Sequence, residues 1–239
     1  MGYGFVCSDK KVTISLLSVL IPISILFCNI TRAEVYDDFN GESIDTTRWM
    51  IRSTPGVTPG LFSQSKGRLY FSCNKDLGES LVSTTSFTAG FFRIEFYKFY
   101  STNDAPPGRG MGSYIALGLG PRDNYVRMLR GRVSTGGYFE ANYFANNRLQ
   151  LWYEPTAVDS GQLALYYDGS TVSFFYNIGL NPDLGWQRVG PRVTPGWNSS
   201  PTLFISGYPG ASGRTRFSVD NVEYVPLPLP PSLLRRLER

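Results

Sequence analysis

The chain beyond its first 33 residues predicts an all-β fold, closed into a two-sheet antiparallel jelly-roll sandwich. Two observations carry that expectation. No stretch after residue 33 repeats apolar residues at three- and four-residue spacing, whereas short runs alternating apolar and polar residues recur. Aromatics make up 15% of the 239 residues, and 25 Gly and 16 Pro break the chain at short intervals. Eleven or more strands without helices hide their edges by packing as two sheets.

Residues 1–33 read as an export signal. Lys10 and Lys11 give a basic start, Val12 to Phe27 is an almost charge-free apolar run, and Thr31 and Ala33 supply small residues for cleavage after Ala33. The apolar run falls short of the roughly 20 residues that cross a bilayer. Losing this leader removes Cys7 and Cys28, so Cys73 is left alone and no internal disulfide can form. The remaining residues, about 200, are enough to bury a large core, and one domain over 34–225 is expected.

Strands are expected at 67–72, 80–84, 91–100, 113–119, 125–130, 138–144, 148–153, 163–167, 171–176, 202–207 and 216–224. Asp168-Gly169 marks a two-residue hairpin turn, because such a pair accepts the positive φ that matches strand twist. Gly136-Gly137 and Asn146-Asn147 read as further turns. Alternation also assigns faces. Phe92, Ile94 and Phe96 oppose Arg93, Glu95 and Tyr97, and Leu149 and Leu151 oppose Arg148, Gln150 and Trp152. In the hairpin, Leu163, Leu165, Val172 and Phe174 are expected between the sheets.

Function classes narrow from composition. The chain has no histidine, which excludes Ser-His-Asp and Cys-His devices and removes the commonest ligand of catalytic zinc. Its formal charge of +4 falls to +2 once Lys10, Lys11, Arg32 and Asp9 leave with the leader. That is too little to argue for nucleic acid or an anionic membrane.

Three stretches resemble the concanavalin A-like lectin/glucanase superfamily, which holds lectins, laminin G-like modules and laminarinase-type hydrolases. They are "VYDDFNGESIDTTRWM"; "GFFRIEFYKF" followed by "SYIALGLGPRDNYVRML"; and "FSVDNVEYV" after "YYDGSTVSFFYN". The resemblance covers 34–225. It implies a glycan ligand and, for the hydrolases, an E-x-D-x-x-E strand in which one carboxylate attacks the sugar and another protonates the leaving oxygen, about 5 Å apart. The strand after "SYIALGLG" reads "NYVRMLRG" and carries no such motif. Glu95 and Glu140 are the best remaining strand carboxylates.

A binding face is expected from Arg93, Glu95, Tyr97, Arg127, Glu140, Asn142, Arg148, Gln150 and Trp152, with Trp152 as the sugar-stacking aromatic. Asp37, Asp38 and Asn40 near the start and Asp220 near the end offer oxygen donors for a structural calcium, as related sandwiches hold; the alternative is that they cap turns. No other cofactor is expected. The arginines of "GPRDNYVRMLRGR" invite an acidic-polymer reading, but the small net charge favours a solvated strand and turn.

Residues 226–239, "PLPLPPSLLRRLER", resemble a cut-down PEP-CTERM sorting signal that lacks its membrane-spanning helix, and are expected to be an extended proline-rich end with a frayed basic terminus. An eroded signal of that type would place the protein outside the membrane of a Gram-negative bacterium, secreted, periplasmic or at the cell surface. The leading functional expectation is an exported, non-catalytic sandwich that binds glycan or serves as a surface or matrix module, with self-association or a cell-surface partner as further contacts. Two alternatives stand beside it: a divergent polysaccharide hydrolase or lyase, and a structural subunit of an extracellular layer or filament.

Overall fold

A computed structural model of the chain describes residues 33–53, 60–74, 77–103, 112–181, 185–211 and 213–238. All but the last residue of the expected leader lies outside them. The described residues form two antiparallel sheets packed as a sandwich. One runs in the order β13 (Gln187–Arg188), β12 (Val172–Asn177), β11 (Gly161–Tyr167), β6 (Gly90–Ser101), β15 (Thr215–Pro226), β4 (Arg68–Cys73) and β3 (Phe62–Ser65), and β1 (Glu34–Asp37) also pairs with β15. The other runs β10 (Arg148–Thr156), β9 (Gly136–Ala145), β8 (Tyr125–Val133), β7 (Ser113–Leu119), β14 (Thr202–Tyr208), β5 (Glu79–Ser86) and β2 (Trp49–Ser53).

The core is the alternate set of residues from each sheet. Phe92, Ile94 and Phe96 of β6, Ile115, Leu117 and Leu119 of β7, and Leu163, Leu165, Val172 and Phe174 of the β11–β12 hairpin are fully buried in one cluster. Burying such side chains contributes about 1.5–3 kcal/mol each, and this cluster is what holds the two sheets together. All eleven expected strands are present. Those not read from the sequence, β1, β2, β3 and β13, are two to five residues long, too short for alternation to register.

The turns needed correction. Asn146 and Asn147 do link β9 and β10 with φ of 51° and 58°, the two-residue turn expected. Between β8 and β9, however, the turn is Ser134-Thr135, and Gly136 is the first strand residue. The β11–β12 loop spans four residues, Asp168 to Thr171. Its stabiliser is the Asp168 carboxylate, which accepts from the Ser170 and Thr171 amides at 2.9 and 2.7 Å and from both hydroxyls.

The C-terminal segment is not frayed. Pro231–Leu237 forms a short helix, α1, begun by proline at its first position, where the missing N–H costs nothing. Leu229, Leu233, Leu234 and Leu237 lie against Phe91, Ala164, Phe175, Trp186 and Val225 on the outer face of the eight-stranded sheet, a second apolar cluster. The helix is a cover for that face. Among the described residues no helix is long and apolar enough to cross a membrane.

Candidate functional site

The outer face of the seven-stranded sheet carries a cleft of about 780 Å³. Register explains what faces it. Ile115, Leu117, Val126 and Met128 turn inward, so Tyr114, Tyr125 and Arg127 turn out; β14 likewise points Leu203 and Ile205 in and Phe204, Ser206 and Tyr208 out. The Phe204 ring lies flat in the space above Gly118, where a Cβ would come within 2.0 Å of its Cζ. Glycine there lets an aromatic ring form the cleft floor. Tyr125 meets Phe204 edge-on at 5.9 Å and stacks on Phe144 at 5.3 Å, and Tyr114 lies 5.5 Å from Tyr208.

Arg127 organises one end of the cleft. Its Nε donates to Asn142 Oδ1 and its Nη1 to Tyr114 Oη, each at 2.9 Å, and its guanidinium sits 4.6 Å over the Tyr114 ring and 5.5 Å from that of Tyr125. Burial works against its charge, but the surrounding Tyr114, Tyr125 and Glu140 outweigh it, so the cation is held more firmly than usual. Asn142 is fully buried and passes the chain on, donating its Nδ2 to Glu140 Oε1 at 2.9 Å. Glu140 is two residues from Asn142 on β9 and shares its face. Burial pushes the Glu140 carboxyl up from its ordinary range, against the opposing pull of Asn142 and Arg127. Among the described residues it is the one strand carboxylate on this face: Glu154 is paired with the inward Phe139, and Glu79 spends its oxygens on Ser53 Oγ and the amides of Gly60 and Phe62.

The nine residues expected to share one face do not. Arg127, Glu140 and Asn142 come together as described. Arg93, Glu95 and Tyr97 lie on the outer face of the other sheet, on the far side of the molecule, in a closed network: Arg93 binds Glu223 through two nitrogens, and Glu95 accepts from Tyr97 Oη at 2.6 Å, Asn221 Nδ2 at 3.0 Å and Gln162 Nε2 at 3.2 Å. Glu95 and Glu140 therefore do not meet. Trp152 pairs with Ala141, which faces the core, so its ring turns inward and packs over Gly190; Arg148 and Gln150 remain exposed on the same strand. On this edge strand it is Leu151 and Tyr153 that face solvent.

The residues expected to hold calcium are engaged otherwise. Asp37 is buried and accepts from Trp49 Nε1 at 2.6 Å and Phe39 N at 2.8 Å; Asp38 holds the Asn40 side chain at 2.7 Å; Asp220 accepts from Asn221 N and faces Arg68. Among the described residues no group of three or more acidic or sulfur ligands could hold a metal ion. The turn-capping alternative describes these residues.

No protein-family model and no curated protein matches the chain. Solved structures do. A laminarinase from Flavobacterium sp. UMI-01 superposes with a TM-score of 0.56 at 13% identity, over 82% of this chain and 99% of that one. The β-glucanase of Bacillus licheniformis gives 0.54 at 10%, over 79% and 96%. A LamA variant from Z. galactanivorans, in complex with laminaritriose and laminaritetraose, gives 0.53 at 14%, over 81% and 97%. The fold is a concanavalin A-like jelly-roll sandwich. These neighbours are a laminarinase and a β-glucanase by name, not lectins, which counts against the expectation of a non-catalytic module. The strand where the resemblance would put the acidic motif is β8, whose outward residues are Tyr125, Arg127 and Leu129.

Proposed function

We propose that the protein is a divergent polysaccharide hydrolase, exported from the cell, that works on the outer face of its seven-stranded sheet. The observation that carries this reading is Glu140, a half-buried carboxyl shifted toward its protonated form, oriented by Asn142 and set one strand beyond the Arg127 end of an aromatic cleft. A carboxyl that holds its proton more tightly than usual is suited to protonate a leaving glycosidic oxygen as its bond to the anomeric carbon breaks. Water then adds at that carbon and gives up a proton to solvent, and the Glu140 carboxylate takes one back, so that one water is consumed for each bond broken. The described residues of this face supply no second carboxylate with an oxygen to spare, Glu79 being held by Ser53, Gly60 and Phe62, so Glu140 is assigned the leaving-group half of the reaction alone.

Geometry fits a long substrate. From β2 across β5, β14 and β7 to β8 the cleft crosses five strands, roughly 20 Å at strand spacing, and β9 with Glu140 comes next. A sugar chain lying across the strands would stack on Phe204 and Tyr125 before reaching the acid. The test is reducing-end release from a panel of neutral and acidic polysaccharides by wild type and Glu140→Gln. Wild type should cleave at least one, and the variant should lose on the order of 100-fold or more. No cleavage of any substrate by folded wild type would overturn the reading.

A further inference from the structure

The cleft holds three arginines, Arg52 on β2, Arg122 in the turn before β8, and Arg127 on β8. Arg52 and Arg122 are exposed, and neither makes an ion pair among the described residues. Arg127 gives two of its nitrogens to neutral acceptors, Asn142 and Tyr114. The one carboxylate in the lining, Glu79, is 2% exposed and its oxygens are taken by Ser53, Gly60 and Phe62. Three guanidinium groups thus converge on one aromatic-floored cleft, and among the described residues of its lining no acidic side chain is left to pair with them; Glu140 lies one strand beyond the Arg127 end. On the opposite sheet, by contrast, Arg93 pairs with Glu223 and Arg68 with Asp220.

We infer that the cleft takes an anionic polysaccharide, one whose sugars carry carboxylate or sulfate groups. Guanidinium is the side chain that binds either group through two parallel N–H donors, and the aromatic floor offers the faces on which sugar rings lie. Arg52 and Arg122, at separate edges, read charges on different sugars of one chain, and Arg127 reads the sugar nearest Glu140. This differs from the uncharged oligosaccharides bound by the solved neighbour. The inference rests on the polysaccharide reading above and specifies its substrate.

Binding of three probes to the full protein decides it: a neutral β-glucan oligosaccharide, a uronic-acid oligosaccharide and a sulfated oligosaccharide, each at low and high salt. At least one anionic probe should bind, with affinity that falls as salt screens the charges. Arg52→Ala/Arg122→Ala should weaken it roughly tenfold with an unchanged melting temperature, since two exposed charge contacts are lost. The carboxylated and sulfated arms show which group is read. Neutral probe bound as tightly as both anionic ones, or anionic binding untouched by the double variant, would overturn the inference and leave the hydrolase reading standing. Binding of no probe, with no cleavage of any polysaccharide, would overturn both.

Discussion

Asp37, buried, and Glu140, half-buried, show two uses of a carboxylate. Asp37 sits beneath the sandwich edge with both oxygens committed, one to Trp49 Nε1 and one to Phe39 N. Asp37→Ala leaves two donors buried without partners and should cost about 3 kcal/mol in urea unfolding, whether or not calcium is present. Glu140 is the opposite case. Its folded pKa is raised above the ordinary 4.5, so the fold binds the proton more tightly than the unfolded chain, and stability falls as pH climbs from about 4.5 through the raised value. Glu140→Gln, uncharged throughout, should match wild type in melting temperature near pH 4 and exceed it near pH 7. A variant less stable than wild type at pH 7 would contradict the strained carboxyl. Alternation in the sequence was enough to put Arg127, Glu140 and Asn142 on one side of their strands. It could not decide Trp152, because on an edge strand both sides carry apolar residues and only the pairing with Ala141 tells which side is inward.

At the level of elements, strand identity was legible wherever a run exceeded five residues, and turn chemistry was legible in kind but not in length. The β11–β12 hairpin is the clear instance. Asp-Gly announced it, yet the Asp168 carboxylate folds over Ser170 and Thr171 and makes a four-residue loop. Burial raises the Asp168 pKa, but the hydrogen bonds from Thr171 and Ser170 outweigh it and bring it down to about 2. A depressed carboxylate stabilises the fold above its unfolded pKa, ordinarily 3.8, and loses that contribution as pH falls toward 2. Wild type should therefore lose more melting temperature than Asp168→Asn between pH 4 and pH 2; equal losses would show the loop is held by something else. The terminal segment was misread for another reason. Four prolines suggest an extended end, and the sequence cannot show that an apolar patch of Phe91, Phe175 and Trp186 waits on the sheet to receive Leu229 and Leu233. Removing residues 227–239 should expose Trp186, shift its emission to the red and make the protein bind hydrophobic dyes. Unchanged emission would mean that α1 covers nothing.

Across the whole molecule, the two outer faces are chemically different, and that difference could not be read before strand order was known. The eight-stranded face closes its charges on one another, with Glu95 saturated by Tyr97, Asn221 and Gln162, and covers its apolar part with α1. The seven-stranded face leaves arginines, aromatics and one shifted carboxyl around a cleft. Sequence reasoning named the best carboxylate of each face, Glu95 and Glu140, and joined them in one site because nothing local shows that β6 and β9 belong to opposite sheets. The same two residues supply the most direct test. The value of kcat/KM on the best polysaccharide should be measured for wild type, Glu140→Gln and Glu95→Gln, well below all three melting temperatures. Glu140→Gln should fall on the order of 100-fold or more while Glu95→Gln keeps wild-type turnover. Loss in Glu95→Gln with activity retained in Glu140→Gln would place the chemistry on the opposite face and contradict the site described above.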